Sequence, residues 1–99
     1  MKIATSREAE SDLDEMEVWL TESWGPTTAA NVIETVLDRI EALTDMPLAG
    51  TLRPEYGAAT RFVTSGRYVI YYETRENDLL VLRILHAALD RDAIMRKQD

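Results

Sequence analysis

The chain has 99 residues, 45% of them apolar, which is enough for one domain over residues 1–99 with one core and too little for a second. Eighteen acidic side chains against eleven lysines and arginines leave a formal charge of −7. That balance opposes broad nucleic-acid binding, whose affinity comes from neutralising phosphates, and with no cysteine and one histidine neither a metal nor another cofactor is expected. No run approaches the ~18 apolar residues of a membrane span. Met1-Lys2-Ile3-Ala4-Thr5 lacks the apolar centre of a signal peptide, so the expected location is cytoplasmic, with no membrane partner. Charge is uneven: Glu8 to Glu17 is strongly acidic, while Arg53, Arg61, Arg67, Arg75 and Arg83 fall in or beside the second half and leave room for a local basic patch.

Lys2-Ile3-Ala4 reads as a short strand. Thr5 or Ser6 then offers an oxygen to the free amides of a helix starting near residue 6, with Glu8 placed to complete a capping box. Ala9, Leu13, Met16, Leu20 and Trp24 recur at helical spacing and define one apolar face. Val18 and Trp19 lie off that stripe and are read as its widened rim rather than as binding residues. Gly25-Pro26 ends the helix, and Thr27 or Thr28 helps to open a second. In that second helix Ala29, Ile33, Val36, Leu37, Ile40 and Leu43 form the apolar face, and Ala29-Ala30 is small enough for close approach to the first. Pro47 stops the run.

From Pro47 to Ala59 the prolines and glycines predict a long connection, with Arg53, Glu55 and Tyr56 solvated or folded back on the core. Arg61 to Thr64, Arg67 to Thr74 and Leu79 to His86 then read as three strands of an antiparallel meander, joined at Ser65-Gly66 and at Arg75 to Asp78. Tyr68, Ile70 and Tyr72 share one face and Val69 and Tyr71 the other. Leu79 to Leu85 is apolar on both faces except at Arg83, so both faces are expected to be covered. Asp90 is placed to cap a last helical turn. The fold class is α+β: an N-terminal helical hairpin packed on a small, mainly antiparallel sheet, with a short C-terminal helix.

His86 ends the last strand without an assignable nucleophile or carboxylate partner and is read as a structural hydrogen-bonding residue. Tyr68, Tyr71 and Tyr72 lack the glycine-and-aromatic signature of RNA-binding sheets and read as core and interface. Arg83, inside an apolar strand, implies either a buried carboxylate partner or an exposed protein interface, and sequence leaves both open.

The order strand, helical hairpin, loop, meander is carried by specific pieces. They are Ala9 with Asp12-Leu13, Trp24-Gly25, Ala29-Ala30, Ile40-Glu41-Ala42-Leu43, Pro47-Leu48-Ala49-Gly50, Gly66-Arg67-Tyr68-Val69-Ile70-Tyr71-Tyr72 and Arg83-Ile84-Leu85-His86 with Asp90. Together they resemble the RelE/ParE superfamily of type II toxin–antitoxin toxins over nearly the whole chain, and the ParE branch most. That resemblance implies a protein that binds and poisons DNA gyrase and is silenced by a cognate antitoxin. The RelE-like branch cleaves messenger RNA on the ribosome, and its pattern implies arginines and a tyrosine where this chain has Tyr68, Leu89 and Met95. Without cations at a scissile phosphate, transition-state charge goes unstabilised, so an enzyme is not expected.

Two departures from the ParE pattern stand out. The chain is acidic where such toxins are usually basic, and Ala87-Ala88-Leu89-Asp90 stands where relatives carry arginine before the aspartate. A non-toxic interaction module is therefore the other reading, beside the ribonuclease. The expected partner-binding residues are Arg61, Arg67, Tyr68, Arg83 and His86, with no catalytic residue.

Overall fold

In the computed structural model, which describes residues 1–97, strand β1 (Lys2–Thr5) leads into helices α1 (Arg7–Trp24) and α2 (Pro26–Ala42). Next come β2 (Thr51–Leu52), a 3-10 turn (Pro54–Tyr56), β3 (Arg61–Ser65), β4 (Tyr68–Arg75), β5 (Asp78–His86) and α3 (Arg91–Arg96). This is the expected α+β arrangement. The meander β3-β4-β5 lies inside a five-stranded sheet of order β1-β5-β4-β3-β2, with β1 parallel to β5 and the other pairs antiparallel. No helix among the described residues is long and apolar enough to cross a membrane.

Ser6 alone caps α1: its Oγ accepts the Ala9 N–H at 3.0 Å, while Thr5 donates to Glu10, so no capping box forms with Glu8 among the described residues. Ala9, Asp12, Met16 and Leu20 form the buried face of α1, and Trp24, expected on that face, points into solvent. Gly25 joins the helices at φ 91°, a left-handed conformation that favours glycine, and serves as the N-cap of α2 in place of a threonine. On α2, Ala29, Val36 and Ile40 are buried, whereas Ala30 and Leu37 are exposed.

The long connection is tied down rather than loose. Tyr72, fully buried, donates its hydroxyl to the Pro47 carbonyl at 2.8 Å and accepts the Gly50 N–H at 2.9 Å. A Cβ at Gly50 would sit 2.6 Å from that hydroxyl, so only glycine permits the approach. Arg61 donates to the Gly50 carbonyl at 2.9 Å, and Arg53 lies over the Phe62 ring at 4.7 Å.

The apolar stretch in β5 hides a bulge. Tyr71 pairs with Arg83 but Tyr72 pairs with Val81, which leaves Leu82 as the extra residue. Side-chain alternation therefore resets, so that Leu79, Val81 and Ile84 all join the core under the hairpin. Val69, Tyr71 and Leu85 face the other way and form a second cluster with Met95 of α3, flanked by Tyr56, Phe62, Leu82 and Ile94.

Candidate functional site

β1 covers β5 only as far as Val81, and α1 crosses beside the rest of that strand. Its polar side chains take over where strand pairing ends. Ser6 Oγ donates to the Leu82 carbonyl at 2.7 Å, and Asp12 Oδ2 accepts the Ile84 N–H at 2.9 Å. Asp12 also accepts both Nε and Nη2 of Arg83 at 2.8 Å, in a two-pronged pair whose side chains are 6% and 18% exposed. The hydrogen bonds that Arg83 donates to Asp12 raise its pKa against an opposing desolvation, with smaller coulombic support from Asp12 itself, Glu8 and Glu15. Of the two readings left open for Arg83, the carboxylate partner is present, 71 positions away in the chain.

Beside this pair lies a groove of roughly 430 Å³ between α1 on one side and β5 with the start of α3 on the other. Met16, Tyr68, Ile84 and Leu85 contribute to its floor, Trp19 to one wall and Leu89 and Ile94 to the other. A second depression of roughly 580 Å³ continues past the other side of Trp19 towards α2, lined by Trp24, Val32, Arg67 and again Tyr68 and His86. Trp19, Tyr68 and His86 belong to both, so the two halves meet at an aromatic ridge. Tyr68 and His86 stack edge to face at 5.4 Å, and burial pushes the Tyr68 phenol up. His86 Nδ1 accepts the Ala88 N–H at 3.0 Å, which fixes the ring and leaves its other nitrogen as the donor of the neutral form.

Four of the five expected partner-binding residues thus gather around one surface: Arg67, Tyr68, Arg83 and His86 line its two halves. Arg61 does not join them and serves the loop at Gly50 instead. Trp19, read from the sequence as the rim of the apolar stripe, stands beside them. It is 53% exposed and lies at the junction of the two halves, and its signal was the tryptophan standing off the apolar stripe. Leu89 and Ile94 were invisible as wall residues, because their placement depends on where α3 docks.

The surface is mainly apolar and aromatic. Its Arg83 is held by Asp12, and Tyr68 and Met95, two of the positions compared with the ribonuclease pattern, are 8% and 4% exposed. No group of three or more potential metal ligands occurs among the described residues. The architecture is thus a two-helix hairpin on a small mixed sheet, with an apolar groove where α1 passes β5.

Comparison with known proteins gives that scaffold a family. The model for the ParE toxin of type II toxin–antitoxin systems, parDE, matches residues 3–91. The chain belongs to this ParE toxin family. It is similar to Toxin ParE1 of Caulobacter vibrioides, with 27% identity over 88 residues, 89% of this chain and 91% of that protein. Its fold is similar to a chain from the structure described as the chromosomal ParDE TA system from P. aeruginosa, with a TM-score of 0.75 and 20% identity over 87% of this chain and 95% of that one.

Proposed function

We propose that this ParE-family toxin acts by binding, as a single domain in the cytoplasm, and that it poisons DNA gyrase until a cognate antitoxin covers it. The observation that carries this reading is the pairing of Arg83 with Asp12 at the edge of the aromatic groove. An arginine already neutralised on both prongs is a poor stabiliser of a phosphate transition state, whereas the surrounding Trp19, Tyr68, Leu89 and Ile94 suit a protein interface. Arg67, Tyr68 and His86 are the proposed contact residues, with Arg83 holding the groove in shape.

The test adds purified protein to gyrase and supercoiled plasmid, with a ribosome-programmed mRNA cleavage assay alongside. Accumulated cleaved plasmid with intact mRNA is the expected result. Cut mRNA with undisturbed gyrase would replace the reading by a ribonuclease, and inactivity of folded protein in both would leave only the interaction module.

A further inference from the structure

Seven consecutive residues, Met46-Pro47-Leu48-Ala49-Gly50-Thr51-Leu52, carry no charge in a chain where 29% of residues do. Met46 and Leu48 are 67% and 65% exposed, and Leu52 is exposed as well. The segment is nevertheless held in place, by the buried Tyr72 hydroxyl on Pro47 and Gly50 and by Arg61 on the Gly50 carbonyl. It runs into β2, at the edge of the sheet opposite β1, and none of its residues lines either half of the groove. Apolar side chains fixed in solvent on a preordered backbone lose little further freedom when they are covered, which is what an interface requires.

The backbone does not suit an added strand. The Arg53 N–H donates to the Thr60 carbonyl at 2.7 Å, so by alternation Thr51 and Arg53 turn their peptide groups towards β3, and Gly50 and Leu52 turn theirs outward. Both groups of Gly50 are already taken by Tyr72 and Arg61. Contact here must be made through side chains.

The ends of the segment decide the occupant. Asp45 precedes it and Arg53 follows it, and neither has an ion-pair partner among the described residues. The next charged residues outward along the chain are Glu41 and Glu55. A segment negative at one end, positive at the other and apolar between them is complementary to itself when a twofold axis reverses it. At a net charge of −7, two copies repel one another unless they meet where charge is absent or paired.

We propose that two copies of this chain associate through residues 45–53 about a twofold axis, with Met46, Leu48 and Leu52 packed together and Asp45 of each copy paired with Arg53 of the other. The contact leaves both grooves open, so it goes beyond the gyrase reading and does not depend on it.

Sedimentation equilibrium of the full chain over about 1–300 μM should show monomer and dimer exchanging with a dissociation constant of micromolar order. Leu48→Glu should weaken the dimer about tenfold or more, whereas Val18→Glu, which puts the same charge at an exposed position on α1, should leave it unchanged. Asp45→Arg is the sharpest change. It removes net negative charge, so general repulsion alone would tighten the dimer, while loss of the cross pair should weaken it about tenfold. The double swap D45R/R53D should return the constant to near its parent value, with circular dichroism confirming that each variant is folded. A monomer over the whole range, a dimer that survives Leu48→Glu, equal weakening by Leu48→Glu and Val18→Glu, or a D45R/R53D protein that associates no better than D45R overturns the proposal. The gyrase assay reads none of these outcomes, so the two readings fail separately.

Discussion

The two faces of the sheet are held in different ways. Under the hairpin, Ile70, Tyr72, Leu79 and Val81 are fully buried beneath two helices of 18 and 17 residues. On the opposite face, Val69, Tyr71 and Leu85 lie beneath a six-residue helix whose one buried side chain is Met95. Polar contacts fasten that helix, from Tyr56 to Asp92 at 2.6 Å and from Arg91 to the Tyr71 hydroxyl at 3.3 Å, while the Arg96–Asp92 pair lies within the helix. The buried Nε of Arg91 has no partner among the described residues. A helix this short has no stability of its own and exists only while docked, so its local opening should be far easier than global unfolding. The groove straddles the boundary, with one wall from α1 and the other from Leu89 and Ile94, and its width therefore follows α3.

The largest effect is expected where the hairpin is stitched to β5. Asp12→Ala removes the acceptor of both Arg83 and the Ile84 amide and leaves a mostly buried guanidinium unpaired, which should cost about 3–5 kcal/mol in urea unfolding. The double variant Asp12→Leu/Arg83→Met should recover part of that loss, because two apolar groups bury no charge. If Asp12→Ala unfolds like the parent, the seam is not what joins the two layers.

A smaller pair of changes sets the faces directly against each other. Ile70→Ala opens a cavity in the hairpin core and should cost about 2–5 kcal/mol with protection lost throughout the sheet. Met95→Ala should cost no more than about 1–2 kcal/mol, since a short helix can collapse onto the gap, and native-state hydrogen exchange should show the loss confined to α3. Equal and global losses from the two substitutions would mean that the faces unfold as one unit.

That division was only half legible in the sequence. The hairpin shows plainly, because its apolar spacing is helical and Gly25-Pro26 interrupts it by local backbone chemistry. The central strands show for the same reason, being rich in β-branched and aromatic residues. The bulge at Leu82 does not show, since a continuous apolar run reads alike with or without a reset of alternation. β2 is two residues long and exists only through pairing with β3, which no local propensity reports. Around the groove, Arg67, Tyr68 and His86 stand out by residue type. The Asp12–Arg83 pair and the wall formed by Leu89 and Ile94 are products of long-range packing.

The finest distinction between the faces is a dependence on pH. The hydrogen bond to Asp92, followed by desolvation, pushes the Tyr56 phenol up to about 12, above its ordinary value of 10.0. Its contribution to α3 docking is therefore fully present below pH 10 and lost as pH rises from 10 towards 12. Asp92 is held below the usual carboxylate range, first by Arg96 and then by Tyr56, so its contribution is present above its ordinary value of 3.8 and lost as pH falls through the lowered pKa. Burial also raises Tyr68 on the hairpin side, so alkali loosens both faces, and the contribution of Tyr56 must be isolated by substitution. Tyr56→Phe should change global stability little yet remove most of the alkaline response of the Met95 methyl resonance, leaving the response of Ile70 in place. A Met95 response in Tyr56→Phe that matches the parent would show that the Tyr56–Asp92 contact does not hold α3, and the polar fastening would then fall to Arg91 and its bond to Tyr71.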